Sequence, residues 1–212
     1  MLAVLEEITV ASDPAAWRRA GFELHGDSLV AGAVRIRLAG ANAGRGLVSW
    51  SLSGVEGAAL DGLPAPEPSA DGAPAPGGRH PNGVVGLDHV VAFSPDLDRT
   101  VAALEGAGLD LRRIREGPTP GGAMRQAFFR IGEPLLEVIE APPESPLRER
   151  PDARSRLWGL AFVVDDLDAC ARILGDRRGE PRAAVQEGRR IVSARRSAEL
   201  GAPVAFITPH YP

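Results

Sequence analysis

Residues 86–109 read GLDHVVAFSPDLDRTVAALEGAGL. An apolar strand runs into Asp-Leu-Asp, after which Leu97, Val101 and Leu104 fall at i, i+4 and i+7, one face of a helix. The acid before Leu97 is the residue type that caps a helix N-terminus. The same strand, cap and helix return at 158–179, WGLAFVVDDLDACARILGDRRG, with Leu167, Ala171 and Leu174 on the helix face. Three strand candidates follow each copy, with Gly and Pro at turn spacing between them. They are DLRRIRE, MRQAFFRI and PLLEVIEA in the first, and PRAAVQE, RRIVSARR and PVAFITP in the second. Each copy is therefore expected to be a βαβββ module.

Working outward, residues 61–83 (DGLPAPEPSADGAPAPGGRHPNG) lose every apolar period to Pro, Gly and Ala, and are expected to form a mobile linker. A second break, charged and Pro-rich, lies at 141–156. The chain thus divides into an N-terminal piece (1–60), a linker (61–84), a central module (85–142), a second linker (143–156) and a C-terminal module (157–212). The N-terminal piece reads as a reduced copy of the module. LEEITVAS is its strand, DPAAWRRAGF its short helix, and FELHG, LVAGAVRIRLAG and GLVSWSLSG its further strands, with Trp17 as a core plug.

Composition narrows the function. The net charge is −4 and the arginines are scattered among acids, so no basic stripe for nucleic acid is present. No run of eighteen apolar residues suggests a membrane span, and a cytoplasmic location is expected. Lysine is absent, which excludes Schiff-base chemistry. The single cysteine, Cys170, sits among helix-core residues, where burial rather than nucleophilic reactivity is expected.

Tandem modules opening on LDHVV and Asp-Leu-Asp and closing on LLEVIE resemble the vicinal oxygen chelate superfamily. It contains glyoxalase I, extradiol dioxygenases and bleomycin- and fosfomycin-resistance proteins. The resemblance implies an α+β fold whose tandem βαβββ modules pair into an incomplete, cup-shaped β-barrel. It also implies one divalent ion (Zn, Ni, Mn or Fe) on the first and last strands. His89 and Glu137 would be ligands in the central module. Aligning GLDHVV with WGLAFVV and LLEVI with VAFIT puts Phe162 and Phe206 at the matching C-terminal positions, leaving half a site. Were the N-terminal module to fold against the central one, Glu7 would supply a third ligand or a catalytic base beside Glu137.

Plainer readings stand beside these. His89 can be a hydrogen-bonded imidazole, and Glu137, flanked by apolar residues, needs a partner if buried, whether a metal, an arginine or a substrate proton. Arg189, Arg190, Arg195 and Arg196 alternate along one strand; Arg190 is the candidate for a ligand's carboxylate or phosphate, with Trp158, Phe162 and Phe206 as apolar lining. His25, His80 and His210 are expected at the surface. Two functions follow. One is a metal-dependent lyase, isomerase or dioxygenase acting on a small oxygenated metabolite; the other is a metal-free protein that binds or sequesters a small molecule. A homodimer is compatible with either.

Overall fold

A computed structural model describes residues 2–55, 60–67, 69, 71–119, 122–148, 150 and 152–210. The two repeated modules form one eight-stranded sheet. The central module supplies β5 (Val84–Ser94), α2 (Leu97–Gly106), β6 (Asp110–Thr119), β7 (Gly122–Arg130) and β8 (Leu135–Glu140). The C-terminal module supplies β9 (Arg156–Val164), α3 (Leu167–Leu174), β10 (Arg182–Ala183), β11 (Arg190–Ser193) and β12 (Val204–Ile207). Strand order is β10-β11-β12-β9-β5-β8-β7-β6, with β5 and β9 antiparallel at the centre and each module's last strand parallel to its first.

Both helices start where the acids place them. Asp96 accepts from the Arg99 amide at 3.0 Å, and Asp166 from the Ala169 amide at 2.9 Å. The expected faces are buried: Leu97, Val101 and Leu104 on α2, and Leu167, Ala171 and Leu174 on α3. Cys170 is buried too, and burial pushes its thiol up to about 12, so it is not a nucleophile.

The N-terminal elements are β1 (Val4–Val10), α1 (Pro14–Arg19), β2 (Ser28–Ala31), β3 (Val34–Leu38) and β4 (Leu47–Ser53). Their sheet has the order β2-β3-β1-β4, with β1 parallel to β3 and antiparallel to β4. This differs from the repeated modules, where the first strand pairs with the last in parallel. The cause lies in LVAGAVRIRLAG. Gly32 takes φ +63° and turns the segment into a two-residue hairpin, so one expected strand becomes β2 and β3 and FELHG is left outside the named strands. The N-terminal sheet shares one apolar core with the convex face of the large sheet. Trp17 meets Phe162 edge-on at 6.0 Å, and Phe22 meets Phe162 at 5.2 Å and Phe206 at 6.1 Å.

The Pro/Gly/Ala-rich segment is more firmly tied than its composition suggests. Asn82 donates from Nδ2 to the Ala20 carbonyl at 2.9 Å, and Asp61 accepts from Arg99 Nε at 2.7 Å, Thr100 Oγ1 at 2.6 Å and Ser155 Oγ at 3.0 Å. His80, expected at the surface, is buried. Its Nδ1 accepts from the Glu23 amide at 3.1 Å, which leaves Nε2–H to donate to the Val30 carbonyl at 3.1 Å. Burial pushes the His80 pKa below its ordinary value, against the pull of the Val30 carbonyl and Glu23. As pH falls, the unfolded chain takes this proton first, so stability present above the unfolded pKa of about 6.5 is lost on acidification. The urea midpoint should therefore drop between pH 7 and pH 5, and drop less in His80→Gln; equal slopes in the two proteins would contradict this assignment.

Candidate functional site

The site forms beside bulges in the pairing of β5 with β9. Leu87 pairs with Phe162 and His89 with Ala161, so Asp88 bulges out of β5; Val91 pairs with Gly159 and Ala92 with Leu157, so Trp158 bulges out of β9. A bulge re-aims side chains next to it. Here it lets the neighbours Asp88 and His89 meet, with His89 Nδ1 donating to Asp88 Oδ2 at 2.7 Å. The other ring nitrogen, Nε2, lies 3.2 Å from Glu137 Oε2 on the adjacent strand β8.

Both ends of this line are held. Arg189, only 5% exposed, donates to Asp88, and its Nε donates to the Thr208 carbonyl at 2.7 Å. At the other end Gln126 Nε2 donates to Glu137 Oε1. Burial would raise the Asp88 carboxyl, but hydrogen bonds and charge from His89 and Arg189 outweigh it and hold Asp88 below the usual carboxylate range. For Glu137 burial wins. Its carboxyl is pushed up despite the charge of His89 and the Gln126 amide. Asp88 thus favours its ionised form beside the imidazole, while Glu137 holds a proton more tightly than an exposed carboxyl does.

Two cavities flank the His89–Glu137 pair. One, about 160 Å³, is lined by Arg113, Arg115, Phe128 and Arg182 among others. The other, about 380 Å³, is lined by Val91, Ile139, Trp158, Ala161 and Ala205 among others. The first takes residues from β6 and β10, the opposite edges of the sheet, so the sheet curls into an open cup.

Several expected site residues lie elsewhere. Glu7 is in the N-terminal sheet, bound by Arg37 Nε at 2.9 Å and Arg35 Nη1 at 3.2 Å. Burial would raise its carboxyl, but Arg37 and Arg35 hold it low, and it neither ligates with His89 nor serves as a base in the cup. Phe162 and Phe206 are fully buried on the convex face. The caps Asp96 and Asp166 match the first strand and helix of the two modules at a spacing of 70 residues, so the counterpart of His89 is Gly159; Glu137 pairs with Val91, whose counterpart Ala161 pairs with Ala205, so the counterpart of Glu137 is Ala205. The alignment through Phe162 is three residues out of register, and an odd slip moves a strand's side chains to the other face. Arg190 points outward and binds Asp168 through both terminal nitrogens at 3.0 Å, while Arg189, its neighbour, faces inward. Trp158 stands at the cup's mouth, 39% exposed, against Phe93. His210 is exposed.

The donor set can be tested against a divalent ion. His89 Nε2 and Glu137 Oε2 converge, but their counterparts Gly159 and Ala205 carry no donor, and a Cβ added to Gly159 would sit 2.7 Å from the Pro203 carbonyl oxygen. Among the described residues no group of three or more His, Cys, Asp or Glu side chains is placed to hold a metal ion. Two converging donors do not fit a closed four-coordinate site.

The family model of the glyoxalase/bleomycin resistance protein/dioxygenase superfamily matches residues 88–193, half of the chain. The chain belongs to this superfamily. Its fold is similar to that of methylmalonyl-CoA epimerase from Mycobacterium tuberculosis, with TM-score 0.50 and 24% identity over 61% of this chain and 91% of that one. A selenomethionine methylmalonyl-CoA epimerase (TM-score 0.49, 22% identity, 61% and 97% covered) and a hypothetical protein from Bacillus halodurans (0.49, 19%, 59% and 95%) follow. No curated protein sequence matches the chain. Among the described residues no helix is long and apolar enough to cross a membrane.

His89 and Glu137 are legible in the sequence as a candidate pair; Asp88 and Gln126, which hold them, are not. A bulge leaves no mark in apolar periodicity, and Gln126 lies in MRQAFFRI, one of three polar residues among apolar ones. In this superfamily chain the strand flanking residues, not the ligand positions alone, carry the charge network.

Proposed function

We propose that this chain is an enzyme that moves a proton at a carbon next to a carbonyl or carboxyl group of a small molecule bound in the cup. The observation that carries the reading is the buried line from Arg189 through Asp88 and His89 to Glu137, ending between two cavities. As a carboxylate, Glu137 accepts the proton from the substrate carbon; as the acid, it returns the proton to the resulting enolate. A carboxyl raised by burial is a stronger base than an exposed one and lies nearer neutrality, which suits both halves of the exchange. His89, held by Asp88, faces Glu137 with the nitrogen that can give it a hydrogen bond or receive one. Isomerisation, epimerisation and elimination all begin with this step. Transfer of solvent deuterium into a bound substrate, absent in His89→Gln, tests it.

A resident divalent ion is assigned no step, because the donors described above do not close a site. Elemental analysis of the purified protein should find far less than one Zn, Ni, Mn or Fe per chain. A full equivalent that is lost in His89→Ala would overturn this part of the reading.

A second reading, a protein that binds a small molecule without turning it over, is favoured by Gly159 and Ala205. They remove polar groups from half of the cup and leave an apolar wall suited to holding a ligand. The two readings differ in one observable: a ligand seated in the cup exchanges its proton in the first and does not in the second.

A further inference from the structure

The two cavities beside His89 and Glu137 differ in chemistry. Most arginines near the cup are already neutralised: Arg112 by Asp110, Arg125 by Asp98 and Glu116, Arg189 by Asp88 and Arg190 by Asp168. Arg113, Arg115 and Arg182 are different. All three line the smaller cavity, and among the described residues none has a carboxylate within 4.0 Å. They come from opposite edges of the sheet, β6 and β10, so curling of the cup is what gathers them. Arg113 is braced with its guanidinium 4.8 Å over the Phe128 ring. Three guanidiniums converging in a protein of net charge −4 are a local field of the opposite sign to the whole.

The larger cavity shares Arg182 with the smaller and is otherwise mostly apolar, without Arg113 or Arg115. Its wall is built from Ala161, Ala205, Ile139 and Trp158, small or flat side chains that leave room beside the Glu137 carboxyl. Ala205 stands at the position where the central module has Glu137, so the space is a direct result of the asymmetry between the two modules. Trp158, 39% exposed at the mouth, gives an entering ring or branched chain its first apolar surface.

We infer that the cup takes a small apolar carboxylic acid, its carboxylate on Arg113, Arg115 and Arg182 and its hydrocarbon or aromatic group against Ala161, Ala205 and Trp158. The two cavities meet at His89, Glu137, Arg182 and Ile191, so a carboxylate held on the arginines puts the carbon next to it beside the acid–base pair. The inference rests on the cup being the small-molecule site of the proposed function and names its substrate class. Charge-assisted, two-pronged contacts from arginine to a carboxylate supply the specificity; an uncharged amide of the same shape forfeits them.

Titration calorimetry of the full chain with 3-phenylpropionate, 3-phenylpropionamide and propionate tests it. Phenylpropionate should bind about tenfold or more tightly than the amide, the difference expected from one good charged contact. That preference should vanish in the triple variant Arg113→Gln, Arg115→Gln, Arg182→Gln. Ala205→Leu should weaken phenylpropionate and leave propionate unchanged. Both variants replace side chains that are not fully buried, and an unaltered thermal melt establishes that they fold. Equal binding of acid and amide, a preference that survives the triple variant, or no binding of either aromatic probe would each overturn the inference. Binding reads the substrate class alone. Acid binding as described, with no deuterium exchange in the bound acid, would sustain the substrate class while removing the proton-transfer reading.

Discussion

Phe162→Ala is expected to destabilise the protein by about 3–5 kcal/mol in urea denaturation, the range for removing a fully buried phenylalanine from a core that cannot close over the gap. The ring lies at the junction of three elements: Trp17 meets it edge-on from α1, Phe22 packs 5.2 Å away, and Phe206 on the paired strand lies 6.2 Å away. Each of these neighbours is itself buried. None can swing into the vacated space without losing its own contacts, so the cavity term is added to the lost transfer energy. Phe206→Ala should behave in the same way. Neither substitution should change the affinity of the folded protein for a ligand of the cup, because both rings lie on the convex face. A loss of ligand affinity at unchanged stability would put Phe162 back in the cup and contradict the 70-residue correspondence between the modules.

Glu137→Gln is expected to lower proton exchange by about 10²–10⁴-fold, the contribution of a positioned general base, while leaving ligand affinity close to that of the wild type. The amide keeps the shape of the carboxyl and can still accept from Gln126, but it cannot take a proton. Stability should respond in the other direction. Burial raises the Glu137 pKa, so the folded state holds this proton more tightly than the unfolded chain does. The associated stability is present below the unfolded carboxyl pKa and lost as pH rises through the folded value. Above that window the wild type carries a buried charge that Glu137→Gln does not. The variant should therefore be as stable as the wild type or more so at neutral pH, and urea midpoints across the carboxylate range measure it. A variant both inactive and much less stable would mean that Glu137 is a structural partner of His89 and not a base.

The repeated module was legible in the sequence because its signals are local. Asp96 and Asp166 cap their helices, and the apolar spacing of Leu97, Val101 and Leu104 is copied by Leu167, Ala171 and Leu174. The same caps held the correct register of the C-terminal module. Aligning the Val-Val pairs of β5 and β9 instead slipped by three residues and turned Phe162 from the core to the cup, and aligning LLEVI with VAFIT slipped by one and did the same to Phe206. Glu7 could not be placed from sequence, since its position depends on Gly32 breaking one long strand into a hairpin and on a sheet order set by tertiary packing. Arg189 and Arg190 are adjacent and chemically identical; only the pairing of β11 with β12 decides which one faces Asp88. Asp88 itself was hidden by the bulge, which no period-2 pattern records.

The central claim is that the His89–Glu137 pair transfers a proton to and from a bound substrate. Incubating wild type and Glu137→Gln in D2O with a panel of small carboxylic and 2-oxo acids, followed by mass spectrometry, tests it most directly. At least one acid that binds the wild type should gain deuterium at the carbon next to its carboxyl or carbonyl group, and should gain none with Glu137→Gln. Acids that bind in the cup and gain no deuterium, or gain it equally with both proteins, would contradict it.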